Sequence, residues 1–334
     1  MHASVFFVIG IVTSLTMIPF ATVYTFDETV KQKFIAEAAA KWASYQSKLE
    51  LLSGKVVHSE VDMTNGKRLP QGSIIEFVQG SSCYLLNGDE TNSNGVHTKS
   101  AKGMNMDYSF SVVYSEKNSW IIDNLKLFPD TATAFAYRST SLKDSVGQWV
   151  FQGIRLYDFW LADLGIDNAK AISSVDSVTF SDKSAWQIRF DLTVLGKNNP
   201  SVWIQSGTVI IDRTDYSINH YSVRYKSSNG VGVMDADYEY YNDDGGIKKI
   251  KSVTINRNSE SRTDGKPLVR RLVKNEFSYS TFSDPCKYAR LSHFDLSEPA
   301  LPNNNKYWYT LIVLFCLGIV LLSVYYFRAK DRAK

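Results

Sequence analysis

Two long stretches of this chain alternate apolar and polar residues with a period of two, and that pattern excludes most folds. Successive side chains of a strand point to opposite faces of a sheet, so alternation marks a strand with one buried face. From Lys48 to Tyr114, and again from Val175 to Phe282, runs rich in Val, Ile, Phe and Tyr are broken by turn chemistry. The first stretch carries Asn65-Gly66, Gln79-Gly80 and Asn87-Gly88. The second carries Ser181-Asp182-Lys183-Ser184, Lys197-Asn198-Asn199-Pro200, Arg213-Thr214-Asp215, Asn229-Gly230, Asp243-Asp244-Gly245-Gly246 and Asp264-Gly265. Connections this short join antiparallel neighbours and leave no room for parallel crossovers, so each stretch reads as a meander. Asp89 to Lys102, polar and rich in Gly, Ser and Asn, is expected to be a mobile loop.

Two helices are expected beside the strands. Thr25 to Glu28 forms a capping box, opening a helix to about Tyr45 whose apolar stripe is Val30, Phe34, Ala38, Trp42 and Tyr45. Ser141 and Asp144 give a second N-terminal signal and Gly165 a C-terminal one. The face between them is broad and aromatic, with Trp149, Tyr157 and Trp160 among its members, and core packing accounts for it. Phe151 and Phe159 fall off the stripe, which predicts cover on two sides.

The chain ends carry a different signal. Tyr307 to Phe327 is 21 uncharged residues, about 31 Å as a helix, with aromatic residues at both ends and Arg328, Lys330, Arg332 and Lys334 after it. It reads as a membrane-spanning helix with a cytoplasmic tail, residues 328–334, and everything before it outside. Val5 to Leu15 has the length of a signal-peptide apolar run, placing a signal at residues 1–24. If cut, the signal is lost; if kept, it is a second anchor. Between the ends, residues 25–284 form the ectodomain. Residues 285–306, with three prolines and an Asn run, read as a stalk.

Charge excludes some partners. The chain has 37 basic and 34 acidic residues, and with the tail removed the balance is 33 of each, which leaves no basic footprint for nucleic acid. Of three cysteines, Cys316 falls in the apolar end, leaving Cys83 and Cys286 either as a disulfide or as two buried thiols. Closing a loop of that length would stabilise the fold by roughly 5 kcal/mol on the chain-entropy model. No motif for a nucleophile, a metal or a nucleotide phosphate occurs, and His58, His97, His220 and His293 stand isolated in sequence. No catalytic residue, metal site or cofactor is expected, and the protein reads as a non-enzyme.

Helix, strands, aromatic helix, strands is an order that resembles the LolA-like fold of periplasmic lipoprotein carriers and the related RseB-type sensors. The clearest local likeness is Trp203 to Asp212 followed by Tyr216 to Tyr225, a strand ending in Asp, a turn and a returning strand. Leu291 to Pro299 is similar to the juxtamembrane ends of uncharacterised single-span envelope proteins of planctomycete-type bacteria. The resemblance implies an α+β fold: a curved antiparallel half-barrel enclosing two main helices, with the C-terminal transmembrane helix added. It also implies an apolar cavity lined by Trp149, Tyr157 and Trp160. The expected function is a membrane-anchored envelope protein that binds a lipid, an acyl chain or a lipidated partner. The alternative is a scaffolding ectodomain that contacts another envelope protein and takes no ligand.

Overall fold

A computed structural model describes residues 28–63, 67–91, 95–141, 149, 151–156, 158–164, 166–228, 230–241, 248–261, 265, 267–301 and 315. The first alternating stretch forms six strands: β1 (Ser53–Asp62), β2 (Lys67–Gly80), β3 (Cys83–Thr91), β4 (His97–Met104), β5 (Tyr108–Tyr114) and β6 (Trp120–Leu127). The second forms seven: β9 (Ile172–Phe180), β10 (Lys183–Asp191), β11 (Ile204–Asp212), β12 (Ile218–Lys226), β13 (Gly230–Tyr240), β14 (Ile250–Ser261) and β15 (Pro267–Ser280). Between them lie helix α2 (Thr131–Ser141) and a two-stranded hairpin, β7 (Arg155–Leu156) with β8 (Phe159–Trp160). The thirteen long strands make one curved antiparallel sheet in the order β6-β5-β4-β3-β2-β1-β15-β14-β13-β12-β11-β10-β9. Each half is a meander of sequence neighbours, and the two halves join through the pairing of β1 with β15, where Val56 sits opposite Phe277. Gly54 makes that seam possible: a Cβ there would stand 2.1 Å from the Ser278 carbonyl oxygen.

Helix α1 (Glu28–Leu49) crosses the concave face. Its 22 residues span about 33 Å and present Phe34, Ala38, Trp42, Tyr45 and Leu49, spaced three and four apart, to the core. Phe34 stacks on Tyr216 at 5.6 Å, and the Trp42 indole donates to the Tyr216 carbonyl at 3.0 Å. The Tyr45 hydroxyl donates to the Lys248 carbonyl at 2.7 Å, and Gln79 donates to the Leu52 carbonyl at 2.8 Å just beyond the helix end. The helix therefore touches turns of the second meander at one end and β2 at the other. Each fully buried aromatic or leucine side chain here is worth about 1.5–3 kcal/mol.

A second core lies on the convex face of β3–β5. Cys83, Leu85, Ala101, Tyr108, Phe110 and Val112 point away from α1 and are covered by Ala289, Leu291 and Phe294. Phe294 packs edge-on against Trp120 at 4.9 Å and Phe110 at 5.8 Å. The covering strap is tied down by a disulfide between Cys83 and Cys286, Cα atoms 5.4 Å apart. Asn105 donates to the Ala289 carbonyl at 2.9 Å, and the Tyr108 hydroxyl accepts from the Leu291 amide at 3.0 Å while donating to Glu298. Segment 285–296, the first part of the expected stalk, is thus part of the packed domain; its lack of periodicity reflects an irregular strap.

Other expectations are corrected. Residues 89–102 are not a loop throughout, since β3 runs to Thr91 and β4 starts at His97. The two-helix half-barrel is replaced by a sheet-dominated fold: between Gln152 and Leu164 the expected second helix gives way to a 3₁₀ turn at Gln152–Ile154, the β7–β8 hairpin and a 3₁₀ turn at Leu161–Leu164, while 142–148 lie outside the described residues. Phe151, Ile154, Leu156, Phe159 and Leu161 are all buried, so the segment has no polar face for a surface helix to present. It folds as a plug. Helix α2 lies just before it, with the Asp130 carboxylate accepting from the Thr133 amide at 2.7 Å. That bond holds the Asp130 carboxyl below its usual range.

The membrane reading is also corrected. Among the described residues no helix is long and apolar enough to cross a membrane. The signal at 1–24 and, Phe315 apart, the expected helix Tyr307–Phe327 with its cytoplasmic tail lie outside the described residues. The single-pass topology with its extracytoplasmic ectodomain is not carried further.

Candidate functional site

The concave face is not filled from end to end. Between the plug and strands β1 and β12–β15 lies a cavity of about 400 Å³, within the roughly 300–1,000 Å³ typical of small-molecule sites. Its floor follows from the alternation of the strands: Tyr221, Met234, Tyr238, Ile255 and Val273 share the concave face because β12–β15 pair in register. Its roof is Trp149, Gln152, Arg155 and Asp158.

Polar contacts fix the roof to the floor. Asn275, buried on β15, donates to Gln152 Oε1 at 3.2 Å, and its own Oδ1 lies 2.7 Å from His58 Nδ1. Trp149 meets the His58 ring edge-on at 5.6 Å. Asp158, at the tip of the β7–β8 hairpin, accepts from Ser201 Oγ at 2.8 Å and from the Val202 and Trp203 amides at 2.8 and 3.0 Å. That carboxylate anchors the plug to the start of β11. It holds the roof in place.

Three guanidinium groups, Arg155, Arg257 and Arg271, face two carboxylates, Glu60 and Asp158. Arg271 pairs with Glu60 at 2.8 Å, and Arg257 donates from Nε to the Tyr225 hydroxyl at 3.1 Å. Three guanidinium groups against two carboxylates give the lining a formal charge of +1, on walls that are partly polar and partly apolar and aromatic. Such a lining suits a ligand with an apolar body and an anionic or strongly polar end.

Of the residues expected to line a cavity, Trp149 stands in the roof. Trp160 does not line it; its ring packs on Phe151 at 5.5 Å and under the Arg155 guanidinium at 5.2 Å, one layer behind the wall. Tyr157 lies outside the described residues. Sequence reasoning missed Asp158, Arg257, Arg271 and Asn275. Asp158 follows the apolar run of the plug and could have been read as a turn residue; the others sit on alternating strands with no local signal.

The histidines have structural partners: Asn275 for His58, Asp89 at 3.0 Å for His97, Asp237 at 2.8 Å for His220, and the Tyr288 and Phe294 rings for His293. Among the described residues no group of three or more His, Cys, Asp or Glu is placed to hold a metal ion.

No protein-family model matches this chain, and no curated protein matches it significantly. Among solved structures, a DUF1329 family protein from Desulfovibrio piger aligns with 78% of this chain and 98% of its own, at 9% identity and a TM-score of 0.39. The Mycobacterium tuberculosis lipoprotein LppX aligns over 76% and 98%, at 9% identity and 0.29. The Pseudomonas aeruginosa MucA/MucB complex contributes a chain aligned over 79% and 99%, at 8% identity and 0.24. These are extensive but loose likenesses, and the functional reading rests on the cavity. The proposed planctomycete-type likeness of Leu291–Pro299 finds no support among them.

Proposed function

We propose that this protein is a non-enzymatic binding protein that holds the apolar part of a lipid, or the acyl chain of a lipidated partner, between the sheet and the plug. The observation that carries this is the half-open cavity roofed by Trp149: of ligand size, with an aromatic and aliphatic floor and three arginines in its walls. The arginines provide for an anionic end and the aromatic floor for a chain. The anchored roof keeps the space open, because Asp158 and Asn275 hold the plug by hydrogen bonds that do not depend on filling the volume.

Titration of the full chain with a fluorescent fatty acid tests this. The expected result is saturable binding near one per chain, weakened about tenfold by Trp149→Ala, a loss of about 1.4 kcal/mol. Absence of saturable binding, or binding unchanged by Trp149→Ala, contradicts it.

A scaffolding role is the second reading, and the open edge of the sheet favours it. Among the described residues strand β6 pairs on one side only, and Ile121, Ile122, Leu125 and Leu127 along it are exposed. Loss of a partner on substitution of these four by Ser or Thr, with fatty-acid binding unchanged, would support that role.

A further inference from the structure

A second cavity, of about 660 Å³, opens at the other end of the concave face, between α1 and the turns of the second meander. It is half open and its wall is mixed: Tyr45 and Tyr240 stand beside Lys41, Lys48 and Lys248, the last paired with Asp212 at 3.0 Å. One residue belongs to both cavities. Tyr238 lines the chamber under Trp149 and the chamber beside α1. Tyr221, on the floor of the first, lies 6.1 Å from its ring, and Tyr240, in the wall of the second, stacks on it at 6.4 Å with planes 17° apart. Above this row, Tyr45 packs on Gly153 of the plug, where a Cβ would come within 3.2 Å of the Tyr45 hydroxyl.

We infer that Tyr238 is the partition between the two chambers and sets the length of chain the protein accepts. The inference rests on the reading that the first chamber holds an apolar chain, and it adds what ends that chamber. Among the described residues Tyr238 is the only one shared by the two linings; on the partition reading its removal joins them, whereas removal of its hydroxyl alone does not. A chain bound from the arginine-lined side meets the face of an aromatic ring. With the ring gone it continues toward the lysines beside α1.

The test is a graded series of straight-chain fatty acids, from octanoate to arachidate, measured against the full chain and its variants. In the native protein affinity rises with each added carbon up to a break, where the chamber is filled. In Tyr238→Leu the break moves to longer acids, and the longest member gains about tenfold in affinity. Tyr238→Phe keeps the native break, because the ring remains. Tyr238→Met, unbranched, flexible and close to leucine in volume, shifts the break in the same direction and provides the test if the leucine variant fails to fold. A break that stays in place in Tyr238→Leu and Tyr238→Met, both folded by thermal melting, overturns the partition while leaving the binding reading intact. Native protein that binds no acid saturably overturns the binding reading and the partition with it.

Discussion

The two halves of the sheet are built from the same alternating pattern and use it in opposite ways. In the first meander, β3 reads Cys-Tyr-Leu-Leu and buries side chains of both parities: Tyr84 faces α1 and α2, while Cys83 and Leu85 face the strap. In the second, concave residues such as Tyr221, Val223 and Met234 are buried and their neighbours on the convex face, His220, Asp235 and Asp237 among them, remain at the surface. Around β3 the first half is covered on both faces, while its edge strand β6 stays exposed. The second is covered on one side by α1 and the plug, which bridge its curvature without filling it, and this leaves the two chambers. A sheet that must hold a guest benefits from one half that is rigid on its own account, since a cavity costs contacts its walls would otherwise make.

This division predicts that the two halves respond to different insults. The largest effect is expected from Cys83→Ala with Cys286→Ala. Freeing the strap should cost about 2–5 kcal/mol of stability in chemical denaturation, and hydrogen exchange should rise in β3–β5 and 285–296 while fatty-acid binding is kept. Loss of binding together with the strap would break the comparison. Next comes Gly54→Ala at the seam. The added Cβ clashes with the Ser278 carbonyl and forces β1 and β15 apart, so a loss of about 1–3 kcal/mol should loosen both halves together.

A smaller effect belongs to the strap's buried hydrogen bonds. Burial, aided by the bond to Glu298, pushes the Tyr108 phenol up to about 12. Burial also pushes the Glu298 carboxyl up, but hydrogen bonds from Tyr108 and the Ser292 amide outweigh it and leave it below its ordinary value. A depressed carboxylate contributes stability that is present above its unfolded value, near 4.3, and is lost as pH falls through the lower folded value. The phenol works in the other direction, its contribution being lost as pH rises from about 10 toward 12. Exchange in 285–296 should therefore rise at both extremes, and Tyr108→Phe, costing about 1 kcal/mol, should abolish the alkaline limb and shrink the acid one, since the Ser292 amide still donates to Glu298. The smallest effect is expected on the outer face of the second meander. His220→Ala breaks a surface pair with Asp237 and should change stability by less than about 0.5 kcal/mol.

What was legible in the sequence follows the same division. Helix α1 and its buried stripe were readable because a helical period encodes a face locally. The strands were readable by their period of two, and Cys83 with Cys286 by exclusion of the third cysteine. The plug was misread because its apolar residues fall near a spacing of 3.6 by coincidence; Phe151 and Phe159, off that stripe, are buried as cover on two sides predicts, but beside a 3₁₀ turn and in a hairpin instead of a helix. The strap was misread because it lacks periodicity and runs into the Pro299, Pro302 and Asn303–Asn305 stretch, so that an irregular segment held by tertiary contacts reads as one piece with a linker. Helix α2 escaped notice although Asp130 caps it, since its eleven residues bury only Ala134 and Arg138. The arginines of the cavity were invisible for a different reason: Arg155, Arg257 and Arg271 come together only through strand register and the placement of the plug.

The account stands on whether the chamber under Trp149 is occupied by an amphiphile. Native mass spectrometry of the purified full chain, followed by organic extraction and analysis of what is released, tests that most directly. The prediction is a co-purifying lipid or acylated species near one per chain, depleted in Trp149→Ala. A bare protein mass that stays bare after incubation with fatty acids and phospholipids would contradict it.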